Sequence, residues 1–140
     1  QEREGDVTAM AARLHAQMGA GLYLSAAVNL RQLFVQAPEV IALRFTGDTI
    51  PPPARLASIA ADLRSNIARA KDAQATPSVG DSLLLAYVGW QLGDAATTAE
   101  GLNQAQKSAD AGGKPEPLIE LLRRTWLDAP ASDPKFAPTK

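Results

Sequence analysis

Apolar residues recur along this chain at three- and four-residue spacing, broken at intervals by glycine and proline, and that period belongs to helices. Over about 6–18, Val7, Met10, Leu14 and Met18 form one stripe. Asp6 stands as an N-cap, and Gly19 and Gly21 stop the helix. Over about 22–36, Tyr23, Ala26, Ala27, Leu30, Leu33 and Phe34 share a face. Pro38 marks the end of that helix, because a residue before proline avoids the α region. Pro38 can also open a short third helix over 39–45, closed by Gly47-Asp48. The run Val40-Ile41-Ala42-Leu43 reads equally as a short buried strand; helix is preferred because the chain offers no second strand to pair with it.

Ile50-Pro51-Pro52-Pro53 is a stiff extended connector. The clearest helix follows, over about 53–74, with Leu56, Ile59, Ala60, Leu63, Ile67 and Ala70 on one face. After a loop at 75–80, Asp81 is expected to cap a helix running to Leu92. Leu83, Leu84, Leu85, Tyr87, Val88 and Trp90 make it apolar nearly all round, which predicts the most buried helix of the domain. Gly93-Asp94 turns into a helix over about 95–109 that Gly112-Gly113 ends. The last helix, about 117–127, carries Leu118, Leu121, Leu122 and Trp126 as its stripe, with Arg123 and Arg124 where positive charge suits the helix dipole. Residues 1–127 thus form one helical domain. Pro130, Pro134 and Pro138 among small and charged residues make 128–140 read as a flexible tail or linker.

Composition narrows the function. With 14 basic and 15 acidic residues and a net charge of −1, there is no electrostatic case for nucleic acid. No run of 18 apolar residues is present, so membrane insertion is not expected. The absence of cysteine removes disulfides, thiolate nucleophiles and Cys-based zinc sites. The chain starts Gln1-Glu2-Arg3 without methionine, which reads as a processed chain or a piece of a longer one. An exported and a cytoplasmic chain both fit this composition.

The residues that could do chemistry do not form a set. His15 is the only histidine; it lies off the main apolar stripe and has no Asp or Glu one turn away to orient it, so it reads as a surface or groove residue. One histidine and scattered single carboxylates offer no metal constellation. Gly19-Ala20-Gly21 sits between helices and lacks the lysine and hydroxyl of a phosphate loop. None of the serines stands in a nucleophile elbow. Neither catalysis nor a cofactor is expected.

Three helix pairs, each turning near Gly21, Gly47 or Gly93, and a closing helix remain to be explained. Gly21 and Gly93 stand close to two periods of a repeat of about 34 residues apart. The third pair resembles a tetratricopeptide repeat: Leu85-Ala86 stands where that family has Leu-Gly, Gly93-Asp94 is at the turn, and Leu102 and Ala105 take the aromatic and small positions of the second helix. Ser82, Gly89 and Thr98 depart from the pattern, and Trp90 is one residue beyond the usual aromatic place. In the first pair Gly21, Tyr23, Ala26, Leu30 and Pro38 fall in register, while Leu14 stands where a small residue is expected. The middle pair keeps Gly47-Asp48 but has a shortened first helix and the Pro51-Pro52-Pro53 insertion. The resemblance covers about 7–110, with a general likeness to degenerate repeat domains of planctomycete-type bacterial proteins, in which a proline-containing loop breaks the array.

The resemblance implies an all-α antiparallel helix-hairpin stack, an α-solenoid of about three pairs with a C-terminal capping helix covering the last open face. It implies a non-catalytic interaction or scaffold module that holds a peptide or partner subunit in a concave groove. Leu83, Leu84, Tyr87, Trp90 and Gln91 would face that groove from the third pair, and Ala11, Ala12 and His15 from the first helix. Tyr87 and Trp90 filling core is the competing reading. Self-association is the alternative, through an exposed Trp126 and open terminal faces. A closed pocket lined by His15 and Tyr87 would instead point to a small-ligand carrier.

Overall fold

Six α-helices carry the chain in the computed structural model, which describes residues 2–128. They are α1 (Glu2–Gly19), α2 (Tyr23–Gln36), α3 (Pro53–Asp72), α4 (Val79–Leu92), α5 (Ala95–Gly112) and α6 (Pro117–Arg123), and α6 runs on into a π-helical turn at Arg124–Asp128. Short 3-10 turns lie at Pro38–Val40 and Gly47–Thr49, and no strand occurs among the described residues. Of the tail expected at 128–140, only Asp128 lies within the described residues.

Four helices stop in the same way. After α1, α4 and α5 a glycine takes a left-handed conformation, with φ of 79° at Gly21, 73° at Gly93 and 70° at Gly113. The next amide reaches back five residues to a carbonyl of the last turn, as Asp94 does to Gly89 at 2.8 Å. This closure satisfies carbonyls that the helix leaves unpaired. Helix α3 uses the same closure with Gln74 at φ 58°.

Helix α4 is the hub. Ten of its fourteen residues are buried, because α5, α3 and α2 all pack on it, α5 most extensively. Helix α1 packs mainly on α2. The α4–α5 seam is built of small residues. A Cβ on Gly89 would meet the Thr98 amide at 2.5 Å, and one on Gly101 would meet the Ala86 amide at 2.4 Å. At Gly89 and Gly101 the facing backbone leaves no room for a side chain. Leu14, Leu30, Leu33, Phe34, Ile59, Leu63, Leu102 and Leu122 join the α4 face in one core. Each large aliphatic side chain buried this way contributes about 1.5–3 kcal/mol.

Several local expectations are corrected. Helix α4 begins at Val79 with Ser78 as its cap, whose Oγ accepts from the Asp81 amide; Asp81 lies inside the first turn. Asp6 lies within α1 and does not cap it. No α-helix forms over 39–45. Beyond the turn at Pro38–Val40 the chain turns again at 41–42, runs without regular structure over 43–46 and enters the 3-10 turn at Gly47–Thr49, so of the two helices expected between Pro38 and Gln74 only α3 forms. Trp126 is buried, since the wide π turn carries it inward.

Candidate functional site

Apart from the 3-10 turn at Gly47–Thr49, segment 41–50 crosses from α2 toward α3 without regular structure, so several of its backbone polar groups must find side chains. They find them on α1, α4 and the π turn. Trp126 Nε1 donates to the Ile41 carbonyl at 2.8 Å. Trp90 Nε1 and Gln91 Nε2 both donate to the Leu43 carbonyl, at 3.1 and 3.0 Å. Gln91 Oε1 accepts from the Phe45 amide at 2.8 Å. In return, Arg44 Nε donates to the Trp90 carbonyl at 2.6 Å, with its guanidinium 3.7 Å from the Trp90 ring centroid. The Trp90 and Trp126 rings stack at 5.8 Å, and Phe34 and Tyr87 extend the aromatic cluster.

His15 closes the far end of the strap. Its Nδ1 lies 2.6 Å from the Thr49 carbonyl, and its Nε2 lies 2.7 Å from the Tyr87 hydroxyl. A carbonyl can only accept, so Nδ1 carries the proton and Nε2 accepts from Tyr87. The ring, 3% exposed, meets Phe45 edge-on at 4.8 Å. Burial pushes the His15 pKa below its ordinary value of 6.5, and the Thr49 bond opposes that shift only in part. Burial likewise pushes the Tyr87 hydroxyl far above its usual range, so it stays a donor. Of the expected surface or groove histidine, the surface placement is corrected: His15 is buried, with Tyr87 and Thr49 satisfying both nitrogens, although it borders an open cavity.

His15, Tyr87, Trp90 and Gln91 are thus brought together, and the chain's own strap covers them. Leu83 and Leu84 are fully buried in the core. Ala11 is buried; Ala12 lines an open cavity of about 540 Å³ beside His15, with Ala16, Gly19, Asp48 and Thr49. Tyr87 is not among its lining residues. Arg44 and Trp126 also take part in this arrangement, and sequence reasoning does not find them. The stripe position of Trp126 marks it only as apolar, and nothing local marks Arg44.

A second feature lies on the outward face of α2. Its inner face buries Ala26, Ala27, Leu30, Leu33 and Phe34. Yet Leu24 is 81%, Val28 50% and Val35 76% exposed. These three positions share one helix face, about 40° wide at 100° per residue. Arg31, on the same face, reaches Glu116 before α6 at 3.4 Å.

Among the described residues no group of three or more His, Asp or Glu could hold a metal ion, and no described helix is long and apolar enough to cross a membrane. No protein-family model, curated protein or solved structure matches the chain.

Proposed function

We propose that this domain is a non-catalytic interaction module, a degenerate tetratricopeptide-like stack that takes a partner protein on the outward face of α2. In this reading α1–α2 and α4–α5 are two helix pairs, α3 is what remains of the middle pair, and α6 covers the last open face. The left-handed turn glycines Gly21 and Gly93 between the helices of each pair support it.

The observation that carries the proposal is the exposure of Leu24, Val28 and Val35 on one face of a helix that already buries its other face. A helix needs only one apolar face to pack on its own core, so a second stripe has no role in holding the fold. Its spacing suits a partner helix with an apolar stripe of its own. Both nitrogens of the one histidine are engaged within the protein, which supports the non-catalytic reading.

A photo-crosslinking residue at position 28 tests this in extract from the cells that make the protein, with exposed position 107 as control. Adducts of defined mass are expected from position 28 alone. Leu24→Asp and Val35→Asp should each weaken them about tenfold, the equivalent of losing roughly 1.4 kcal/mol of apolar burial. Both variants should keep their stability within about 0.5 kcal/mol, since these side chains are exposed in the isolated domain. Equal labelling at both positions, or adducts unchanged in the variants, refutes the assignment.

A further inference from the structure

The strap at 41–50 is held from outside by four side chains, His15, Trp90, Gln91 and Trp126. Three of them cannot change charge near neutral pH. His15 can, and the geometry around it tolerates only the neutral ring. As drawn by the hydrogen bonds, Nδ1–H points at the Thr49 carbonyl and Nε2 receives the Tyr87 proton. A second ring proton would make Nε2 a donor facing a donor. The Tyr87 hydroxyl would have to turn its own proton away. It is fully buried, and among the described residues His15 is its one hydrogen-bond partner. The imidazolium has an outlet, because the open cavity beside the ring leads to solvent.

A carboxylate beside the ring favours that outward turn. Asp48, on the strap itself, lines the cavity next to His15. Arg55, at the start of α3, is tied to the Gly19 carbonyl on the same cavity wall, and Arg44 is turned away onto Trp90. On α1 the neighbouring Arg13 is exposed. Helix α4 presents only Tyr87 and the neutral Gln91.

We propose that segment 41–50 is a proton-released strap: protonation of His15 breaks its bond to Tyr87, swings the ring into the cavity with loss of the Thr49 contact, and frees the strap from Trp90 and Trp126 while the helices stay folded. The closed state holds His15 with a lowered pKa, whereas the open state returns it toward 6.5. The closed state therefore binds fewer protons. Its advantage is complete above pH 6.5 and shrinks as the pH falls below that value. This inference is independent of the α2 face, because it concerns a different surface and a different observable.

The chain supplies its own reporters. Both of its tryptophans donate to strap carbonyls, and it has one histidine. Tryptophan emission and acrylamide quenching are to be followed from about pH 8 to about pH 5, above the range where ordinary carboxylates titrate. A reversible red shift is expected, with a severalfold rise in quenching and unchanged far-ultraviolet circular dichroism. Nitrogen-15 spectra of the single imidazole should show the Nδ1–H form at the upper end, titrating with the same midpoint. His15→Gln should abolish the tryptophan transition. If that variant does not fold, the imidazole and quenching titrations of the unaltered protein decide alone. The proposal is overturned if the imidazole does not titrate above about pH 5, if it titrates without the tryptophan change, or if helicity is lost in the same step.

Discussion

A Cβ on Gly101 would lie 2.4 Å from the amide nitrogen of Ala86, so α5 and α4 meet backbone to backbone at these two residues. Gly101→Ala tests the seam. Alanine gains about 1 kcal/mol of helix propensity. Against that, backbone cannot step aside as a flexible side chain can, and overpacking of this kind costs about 1–3 kcal/mol, with the upper half of that range expected for a clash this close. A net loss of roughly 1–2 kcal/mol is expected in urea unfolding. Gly112→Ala, at a position with nothing within 4 Å, should stay within about 0.5 kcal/mol. Equal behaviour of the two variants would show that the seam is looser than this.

Gln74 occupies the left-handed position that glycine fills after α1, α4 and α5, with φ 58°. Left-handed backbone costs a residue with a Cβ about 1–2 kcal/mol. Glycine removes that strain but gives back about 0.5–1 kcal/mol through the greater freedom of the unfolded chain. Gln74→Gly should therefore raise stability by about 0.5–1 kcal/mol in thermal or urea unfolding, and Gln74→Val should lower it.

Trp126 bridges the two ends of the core, stacking on Trp90 and donating to the Ile41 carbonyl 85 positions earlier. Trp126→Phe keeps an aromatic ring but leaves that buried carbonyl unpaired, a loss of about 1–3 kcal/mol. Trp126→Ala also opens a cavity and should lose about 3–5 kcal/mol. If the two variants are equally stable by denaturant titration, the indole N–H has no part in holding the strap.

Arg64 on α3 grips Glu100 on α5 through several N–H···O bonds of 2.9–3.1 Å, but both side chains are nearly half exposed. Solvent screens such a pair, so Glu100→Gln should cost less than about 1 kcal/mol despite the good geometry. That small difference should shrink further in about 1 M salt, where the screening length is about 3 Å. A loss of several kcal/mol would mean that the α3–α5 contact depends on charge.

Legibility along this chain follows the range of the forces involved. Helices α3 and α5 are readable within a residue or two at their N-terminal ends, and α4 is placed three residues late, at Asp81 and not at Ser78. Apolar period, the prolines at 51–53 and the glycines at 93 and 112–113 all act within a few residues of the boundaries they set. The all-round apolar run at 83–90 likewise announces the buried hub. The short run at 40–43 misleads for the same reason: locally it suits a helix, and nothing local opposes one.

His15, Tyr87, Trp90 and Gln91 can be selected from their residue types and their places on α1 and α4, but not what they hold. The groups that draw 41–50 out of helix stand 34 to 85 positions away along the chain. Folding brings Tyr87 to His15 across 72 positions and turns an isolated polar residue into a satisfied, buried one. The helical elements of this protein are thus written in neighbouring residues. The strap and its histidine latch exist only once helices distant in sequence have packed, because a hydrogen bond acts over about 3 Å and reads no sequence spacing at all.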